Sequence, residues 1–306
     1  KDINDLSRVM HEAFYVARSG RPGPVVIDLP KDILMALGEY ENLTKVEHRT
    51  YQPRMKADKN EIEKAVAMIA AAKRPIFYCG GGVVNSGVKA SKQLDRLIKL
   101  TGAPVTLTLM GLGAYPGSDK QFLGMLGMHG TYEANLAMHD ADLIVAIGSR
   151  FDDRVTGRLD AFAPNSKKIH IDIDPSSINK TVMVDLPIVG DVGTILDQML
   201  RAWKAKNLKT NQKAMKAWWK QIDEWRARRC LDYKQSGKII KPQHAIEQLY
   251  KATKDRDCYI TTEVGQHQMW AAQYYKFDEP NRWMTSGGLG TMGYGLPAAI
   301  GVQNRS

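Results

Sequence analysis

Apolar residues Leu6, Val9, Met10, Ala13, Phe14 and Ala17 recur at the spacing of one helix face. Ser19 and Gly20 end that helix, and Pro22 and Pro24 turn the chain before a short apolar run, residues 25–29, that reads as a strand closed by Pro30. From about Ala36 to Lys59 the periodicity fades and the chain reads as a polar linker. A second patterned stretch then opens. Ile62, Ala65, Val66 and Ile69 mark a helix face, Pro75 blocks its continuation, and residues 76–79 form a strand that runs into a turn at Gly80, Gly81 and Gly82. Helices follow over residues 88–101, 132–139 and 193–203, with strands over 104–109, 143–147 and 168–173. A third stretch begins near Ile239, with a helix over 242–253, a strand over 259–262, and a glycine-rich segment leading into an apolar, buried helix that contains Pro297. Most of the strands are apolar throughout rather than alternating, and they interleave with helices. That combination predicts an α/β fold of doubly wound parallel sheets with helices on both faces.

Composition narrows the classes. A length of 306 residues accommodates two domains or parts of three. The net charge of +10 is spread along the chain, including the stretch from Lys204 to Arg229, with no compact basic block interleaved with aromatics. That argues against nucleic acid and is compatible with a mild pull on anionic substrates. Within the 204–229 stretch, Trp218, Trp219 and Trp225 read as a linker helix laid on a domain surface, the alternative being a clamp between units. Cys79, Cys230 and Cys258 are far apart and form no C-x-x-C pair, so neither a zinc site nor a dithiol motif is expected, and their odd number fits a reducing cytoplasm. No apolar run approaches the ~20 residues a membrane span needs. The chain enters a helix pattern almost at once, with no leader pattern and no initiator methionine, and reads as an internal fragment.

Candidate chemistry gathers where strands end. "ADLIVAIGSRFDDRVTG", residues 141–157, places Arg150, Asp152, Asp153 and Arg154 directly after an apolar strand that stops at Gly148. A salt-bridged surface loop would look like this. So would the rim of a nucleotide crevice, because ligands of open α/β sheets bind beyond the strand carboxyl ends and arginines there suit phosphates or a substrate carboxylate. Asp172 and Asp174 close the next strand, where an acidic side chain can hold a ribose hydroxyl. "GGGVVNSG" at Gly80–Gly87 departs from G-x-G-x-x-G, since Asn85 stands where the third glycine belongs; a plain tight turn fits equally, and a nicotinamide dehydrogenase loses support. Gln266 and His267 follow a short strand and are neutral donors suited to phosphate oxygens, although a lone histidine is more often structural. The glycines of residues 287–295 allow close backbone approach.

Six phrases, in this order, carry a resemblance over essentially the whole chain: "SGRPGPVVIDLPKD", "TLMGLGAYPG", "MLGMHGTYEANLAMHDADLIVAIGSRFDDRVTG", "KIHIDIDPSSINK", "TTEVGQHQMWAAQ" and "WMTSGGLGTMGYGLPAAIG". Together they resemble the catalytic large subunit of the acetolactate (acetohydroxyacid) synthases, thiamine-diphosphate-dependent enzymes, in a bacterial wording. The resemblance implies that residues 1–37 are the tail of a pyrimidine-binding domain, 38–59 a linker, 60–205 a central FAD-binding domain, 206–238 a helical linker, and 239–306 the beginning of the diphosphate-binding domain. It implies an activity that decarboxylates pyruvate on thiamine diphosphate and condenses the hydroxyethyl unit with a second pyruvate or 2-oxobutanoate, the first common step of branched-chain amino-acid biosynthesis. FAD would be largely structural. It further implies a cytoplasmic homodimer or higher oligomer with a small regulatory subunit.

Carried over by motif, Arg21 is a flavin contact and Lys31 borders the substrate entrance. Gly81, Gly82, Thr108, Leu109, Leu126, Gly127, Met128 and His129 line the flavin. So do Gly148, Arg150, Phe151, Asp152, Asp153, Arg154, Val155, Asp172, Ile173, Gly190 and Asp191, with Gly287 and Gly288 nearby. Arg154 also meets the carboxylate of the second oxo acid. Gln266 and His267 hold the diphosphate tail, and Gly290, Thr291 and Met292 touch the ring region of thiamine diphosphate, Met292 as an apolar wedge. Two family elements have no match in this sequence, the activating glutamate and the G-D-G…N motif that binds Mg2+ and diphosphate. No metal ligand is therefore expected here, and the chain alone is expected to be inactive. A glyoxylate carboligase, an oxo-acid oxidase on the same scaffold, or a non-catalytic flavin-binding module are the rival readings.

Overall fold

The computed structural model describes residues 2–43 and 48–305. The chain divides into two compact units, Lys1–Met55 and Lys56–Ser306. In the first, helix α1 (Leu6–Arg18) forms as its periodicity predicts, and a short helix α2 (Lys31–Met35) begins directly after Pro30. Residues 25–29, expected as a strand, join no sheet among the described residues, and Val26 is 93% exposed.

The second unit is built on a six-stranded, fully parallel sheet. Its strands are β1 (Pro75–Cys79), β2 (Val105–Leu107), β3 (Phe122–Met125), β4 (Leu143–Ile147), β5 (Lys167–Asp172) and β6 (Leu186–Val189), in spatial order β3-β2-β1-β4-β5-β6. The central strands are buried along their whole length, as continuous apolar runs require when both faces are covered. The path from β1 to β2 steps one way along the sheet and the path from β3 to β4 steps the other. Right-handed crossovers in opposite directions place their helices on opposite faces. Accordingly α3 (Lys59–Ala71), α5 (Val88–Thr101) and α8 (Val192–Ala205) pack together as one layer, and α6 (Tyr132–Asp140) pairs with α9 (Gln212–Arg226).

Strands β3 and β6 lie at the two edges and were not expected from the sequence. β3 carries Gly124 in a left-handed conformation, and β6 carries Pro187, whose missing N–H is tolerated on an edge strand. The glycine turn after β1 is also more regular than expected: Gly81–Asn85 forms one short helix, α4.

Helix α9 fastens to the amino ends of the strands. The Trp218 indole N–H donates to the Pro75 carbonyl at 3.1 Å, that of Trp219 to the Gly102 carbonyl at 2.8 Å, and the Arg226 guanidinium to the carbonyls of Lys120 and Phe122 at 2.8 Å each. The tryptophans are thus laid on the central sheet domain, the arrangement favoured in the sequence. Beyond them lie α10 (Pro242–Thr253), a two-stranded parallel sheet of β7 (Ile260–Thr262) and β8 (Trp283–Thr285), α11 (Gln266–Tyr274) and α12 (Gly295–Arg305). Phe277, Tyr275 and Trp283 form a buried aromatic cluster under this segment. Helix α12, expected to be buried, has Leu296 and Ile300 exposed among the described residues.

Candidate functional site at the strand ends

The strand order reverses between β1 and β4, and at such a switch point the two following loops diverge and leave a crevice beyond the strand carboxyl ends. Here the two loops cross closely. A Cβ on Gly82 would lie 2.6 Å from the Gly148 Cα, and one on Gly148 would lie 2.6 Å from the Gly82 Cα, so only glycine backbone fits on either side. Gly148 also has φ +57°, a left-handed conformation costly for a side-chain-bearing residue. The ladder continues into the mouth: Gly80 N–H donates to the Ile147 carbonyl, Thr108 N–H to Cys79, Gly148 N–H to Ile171 and Gly190 N–H to Asp172, all at 2.8–2.9 Å.

The flavin residues inferred for this second unit therefore fall on loops after all six strands of the sheet, except Gly287 and Gly288. Gly81 and Gly82 follow β1, Thr108 and Leu109 follow β2, and Leu126 to His129 follow β3. Gly148 to Val155 follow β4, Asp172 and Ile173 close β5, and Gly190 and Asp191 follow β6. Gly287 reaches them from the segment after β8, where its Cβ position is 3.2 Å from the Met110 Cγ and 3.4 Å from the Leu109 Cδ2. Gly288 faces open space. The loops after β3 and β4 are joined: Met128 N–H donates to the Arg154 carbonyl at 2.9 Å, and a Cβ on Gly127 would lie 3.1 Å from the Val155 Cα. Together they wall a cavity of about 450 Å3 bordered by Gly127, Met128, Asp153, Arg154, Val155 and Phe162.

Charge is ordered at this mouth. Asp152 caps the short helix α7 (Asp153–Thr156), accepting from the Arg154 N–H at 3.1 Å and from the Arg150 guanidinium at 2.6 Å. Burial pushes the Asp152 carboxyl up, but the Arg154 amide, the Asp153 side chain and the two guanidinium groups outweigh it and hold the carboxyl below its ordinary value. The side chains of Asp153 and Arg154 stand on the cavity rim, 84% and 73% exposed. Phe151 turns inward instead: it is buried at φ +50° and packs on Tyr78 and His170 with ring centroids 5.5 and 5.2 Å away, so it offers the mouth only backbone. Asp172 accepts from the Asp174 N–H at 2.9 Å. Asp191 caps α8 through Thr194 and accepts from the Ser86 hydroxyl at 2.6 Å, which ties the β1 and β6 loops together.

Of the thiamine diphosphate residues, Gln266 and His267 are exposed in the first turn of α11, and Thr291 and Met292 are exposed in the turn before α12. The two segments meet through Gly290, whose Cβ position is 3.8 Å from a Val264 methyl. Arg21 and Lys31 belong to the first unit, Arg21 in a bend and Lys31 as the first residue of α2. Sequence reasoning missed Asn135, whose side chain accepts from the Gly127 N–H at 2.8 Å and donates to its carbonyl at 3.0 Å. It also missed Glu263 at the end of β7. The available signals were a single asparagine within an otherwise apolar helix face and an acidic residue just after a strand, both too common to select alone.

Comparison with known proteins agrees with this architecture. Residues 62–199 match the family profile of the thiamine pyrophosphate enzyme central domain, and residues 263–305 match that of the C-terminal TPP binding domain. Over 305 residues, 99% of the chain, it is 50% identical to the acetolactate synthase isozyme 3 large subunit of Escherichia coli (strain K12), covering 53% of that protein. It is 48% identical to the acetolactate synthase large subunit of Haemophilus influenzae over 99% of the chain and 52% of the relative. The acetolactate synthase of Mycobacterium bovis is 43% identical over 98% of the chain and 48% of its own length. The chain spans about half the length of the curated relatives it matches. With a doubly wound sheet under one profile and the glycine-rich segment under the other, the chain belongs to the thiamine pyrophosphate enzymes, as a homologue of the large subunits of acetolactate synthase.

Proposed function

We propose that this protein is the catalytic large subunit of an acetolactate synthase, which removes carbon dioxide from pyruvate and joins the remaining two-carbon unit to a second pyruvate or to 2-oxobutanoate. The observation that carries the reading is the gathering of the inferred flavin residues on the loops beyond all six strand ends, with Gly287 of the third segment against Leu109 and Met110. Two features suit a flavin: the Gly82–Gly148 crossing is backbone without side chains, and the loops after β3 and β4 wall a cavity of about 450 Å3. FAD is assigned to the residues of the second unit named above, and Arg21 is a flavin contact by the resemblance alone.

Thiamine diphosphate, when bound, supplies the electron sink that lets the bond to the pyruvate carboxylate break. Gln266 and His267 donate to its diphosphate oxygens, and Gly290, Thr291 and Met292 bear on its ring region. Arg154 stands on the rim with its guanidinium accessible, placed to orient the carboxylate of the incoming oxo acid by paired hydrogen bonds. Lys31 borders the entrance for the same anions. Among the described residues no group of three or more His, Cys, Asp and Glu is placed to hold a metal ion.

In domain terms, residues 1–37 close the pyrimidine-binding domain, 38–59 link, 60–205 bind FAD, 206–238 form the helical connection and 239–306 open the diphosphate-binding domain. We place the protein in the cytoplasm as a homodimer or higher oligomer with a small regulatory subunit. No helix among the described residues is long and apolar enough to cross a membrane. The test is turnover: the purified full-length protein with pyruvate, thiamine diphosphate, Mg2+ and FAD should form acetolactate and carry flavin through purification. Peroxide as the main product would make it an oxo-acid oxidase, and activity confined to glyoxylate would make it a carboligase of that substrate. Flavin without any turnover would reduce it to a binding module.

A further inference from the structure

Strand β7 ends at Thr262, and the next residue, Glu263, reaches across to the amino end of α12. Its Oε1 accepts from the Gly295 N–H at 2.7 Å and its Oε2 from the Tyr294 N–H at 2.9 Å. The first amides of a helix have no partner within the helix, and a carboxylate there gains from charge-assisted bonds and from the helix dipole. The contact leaves no slack. Gly295 is buried, and a Cβ on it would lie 3.0 Å from the Thr262 carbonyl carbon and 3.1 Å from Glu263 Oε1. Partial desolvation pushes the Glu263 carboxyl up, yet the amides of Gly295, Tyr294, Gly293 and Leu296 bring it below its ordinary value, so it is a carboxylate throughout the neutral range.

The same strand end is braced from two other sides. The Thr262 and Thr285 hydroxyls share a hydrogen bond of 2.9 Å between β7 and β8, and the Gln268 amide, 3% exposed, donates to the Thr285 hydroxyl at 2.6 Å from within α11. Ser286 accepts from the Thr291 N–H at 2.8 Å. Helix α11 and the 290–292 turn are therefore both referred to the carboxyl ends of β7 and β8, and the Glu263 side chain is the link that carries α12.

We propose that Glu263 is a positioning residue for thiamine diphosphate: one carboxylate ties the amino end of α12, and with it the Gly290–Met292 turn, to the strand end that leads into Gln266 and His267. The inference rests on the preceding assignment of those residues to the cofactor.

The test compares Glu263→Ala, which removes both acceptors, with Glu263→Gln, which keeps the reach and one oxygen, in the full-length protein. Amide hydrogen exchange without cofactor should be at least about tenfold faster at residues 293–296 in the alanine variant, the equivalent of losing a charge-assisted bond, with β4 and β5 unchanged. Titration with thiamine diphosphate and Mg2+ should show binding weakened about tenfold in the alanine variant and partly restored in the glutamine variant, at unchanged flavin content. Unchanged exchange at 293–296 overturns the tether. Acceleration spread evenly over the central sheet, or an unchanged cofactor affinity, overturns the positioning role. If the unsubstituted protein binds no thiamine diphosphate, the functional reading falls and this proposal falls with it, whereas binding by the unsubstituted protein with no difference among variants removes this proposal alone.

Discussion

Replacing Gly148 by alanine tests whether the crossing at the switch point is as tight as the structure makes it. Two costs combine. At φ +57° an L-residue sits in the left-handed region, which costs roughly 1–2 kcal/mol. The added methyl would also lie 2.6, 2.8 and 2.9 Å from the Gly82 Cα, the Gly82 carbonyl carbon and the Val83 nitrogen. All three are backbone atoms, so relief requires the β1–α4 turn to move bodily, and overpacking of this kind costs about 1–3 kcal/mol. The sum is about 2–5 kcal/mol. Gly102→Ala separates the terms, because Gly102 has φ +69° but its Cβ position has only the Met215 Cγ, at 4.0 Å, nearby. It should cost only the conformational part, roughly 1–2 kcal/mol. Urea unfolding followed by tryptophan fluorescence measures both, since Trp218 is buried in the same unit. Flavin should be lost from the Gly148 variant and kept by the Gly102 variant. Equal destabilisation by the two substitutions, with flavin retained in both, would refute the crowding argument.

Asp152 has a carboxyl held below its ordinary value of 3.8, so its contribution to stability is complete above that pH and is lost as pH falls through the folded value. Asp152→Asn should therefore flatten the decline in urea midpoint between neutral and acid pH; an unaltered slope would show that the Arg150 pair and the Arg154 amide contribute nothing. Asn135→Ala releases both backbone groups of Gly127 and should lower stability by about 1–2 kcal/mol while weakening flavin retention, read by thermal unfolding and by flavin absorbance. Trp218→Phe removes part of a buried ring as well as the N–H bonded to the Pro75 carbonyl, for a loss of at least about 1–3 kcal/mol, and Trp219→Phe should cost less because that indole is only half-buried.

How much of this was legible depended on whether a signal was local. Strands β1 and β4 announced themselves because they are buried on both faces and apolar throughout, while β5 was legible from Ile169 and Ile171 alternating with polar residues. The edge strands did not, since β6 alternates buried and exposed residues around Pro187 and β3 is interrupted by Gly124. At the mouth, the acids and arginines after β4 could be placed at a strand end from the sequence. That Phe151 turns inward while Arg154 turns outward could not, because it follows from a positive φ and from the Tyr78 and His170 rings waiting beneath. Asn135 and Glu263 were invisible for a related reason. Each acts on backbone groups 8 and 31–32 residues away, and such pairings exist only once the fold has closed.

The hold of α9 on Pro75, Gly102, Lys120 and Phe122 gives the sheet two differently committed ends. One is occupied with anchorage and the other is left to chemistry. Changes in α9, or in whatever is attached through it, would be absorbed as strain at the anchored end, some five residues of strand away from Gly148. The exposed face of α9, away from Trp218, Trp219 and Arg226, can therefore be re-engineered as an attachment point while the loops at the opposite end keep their aim.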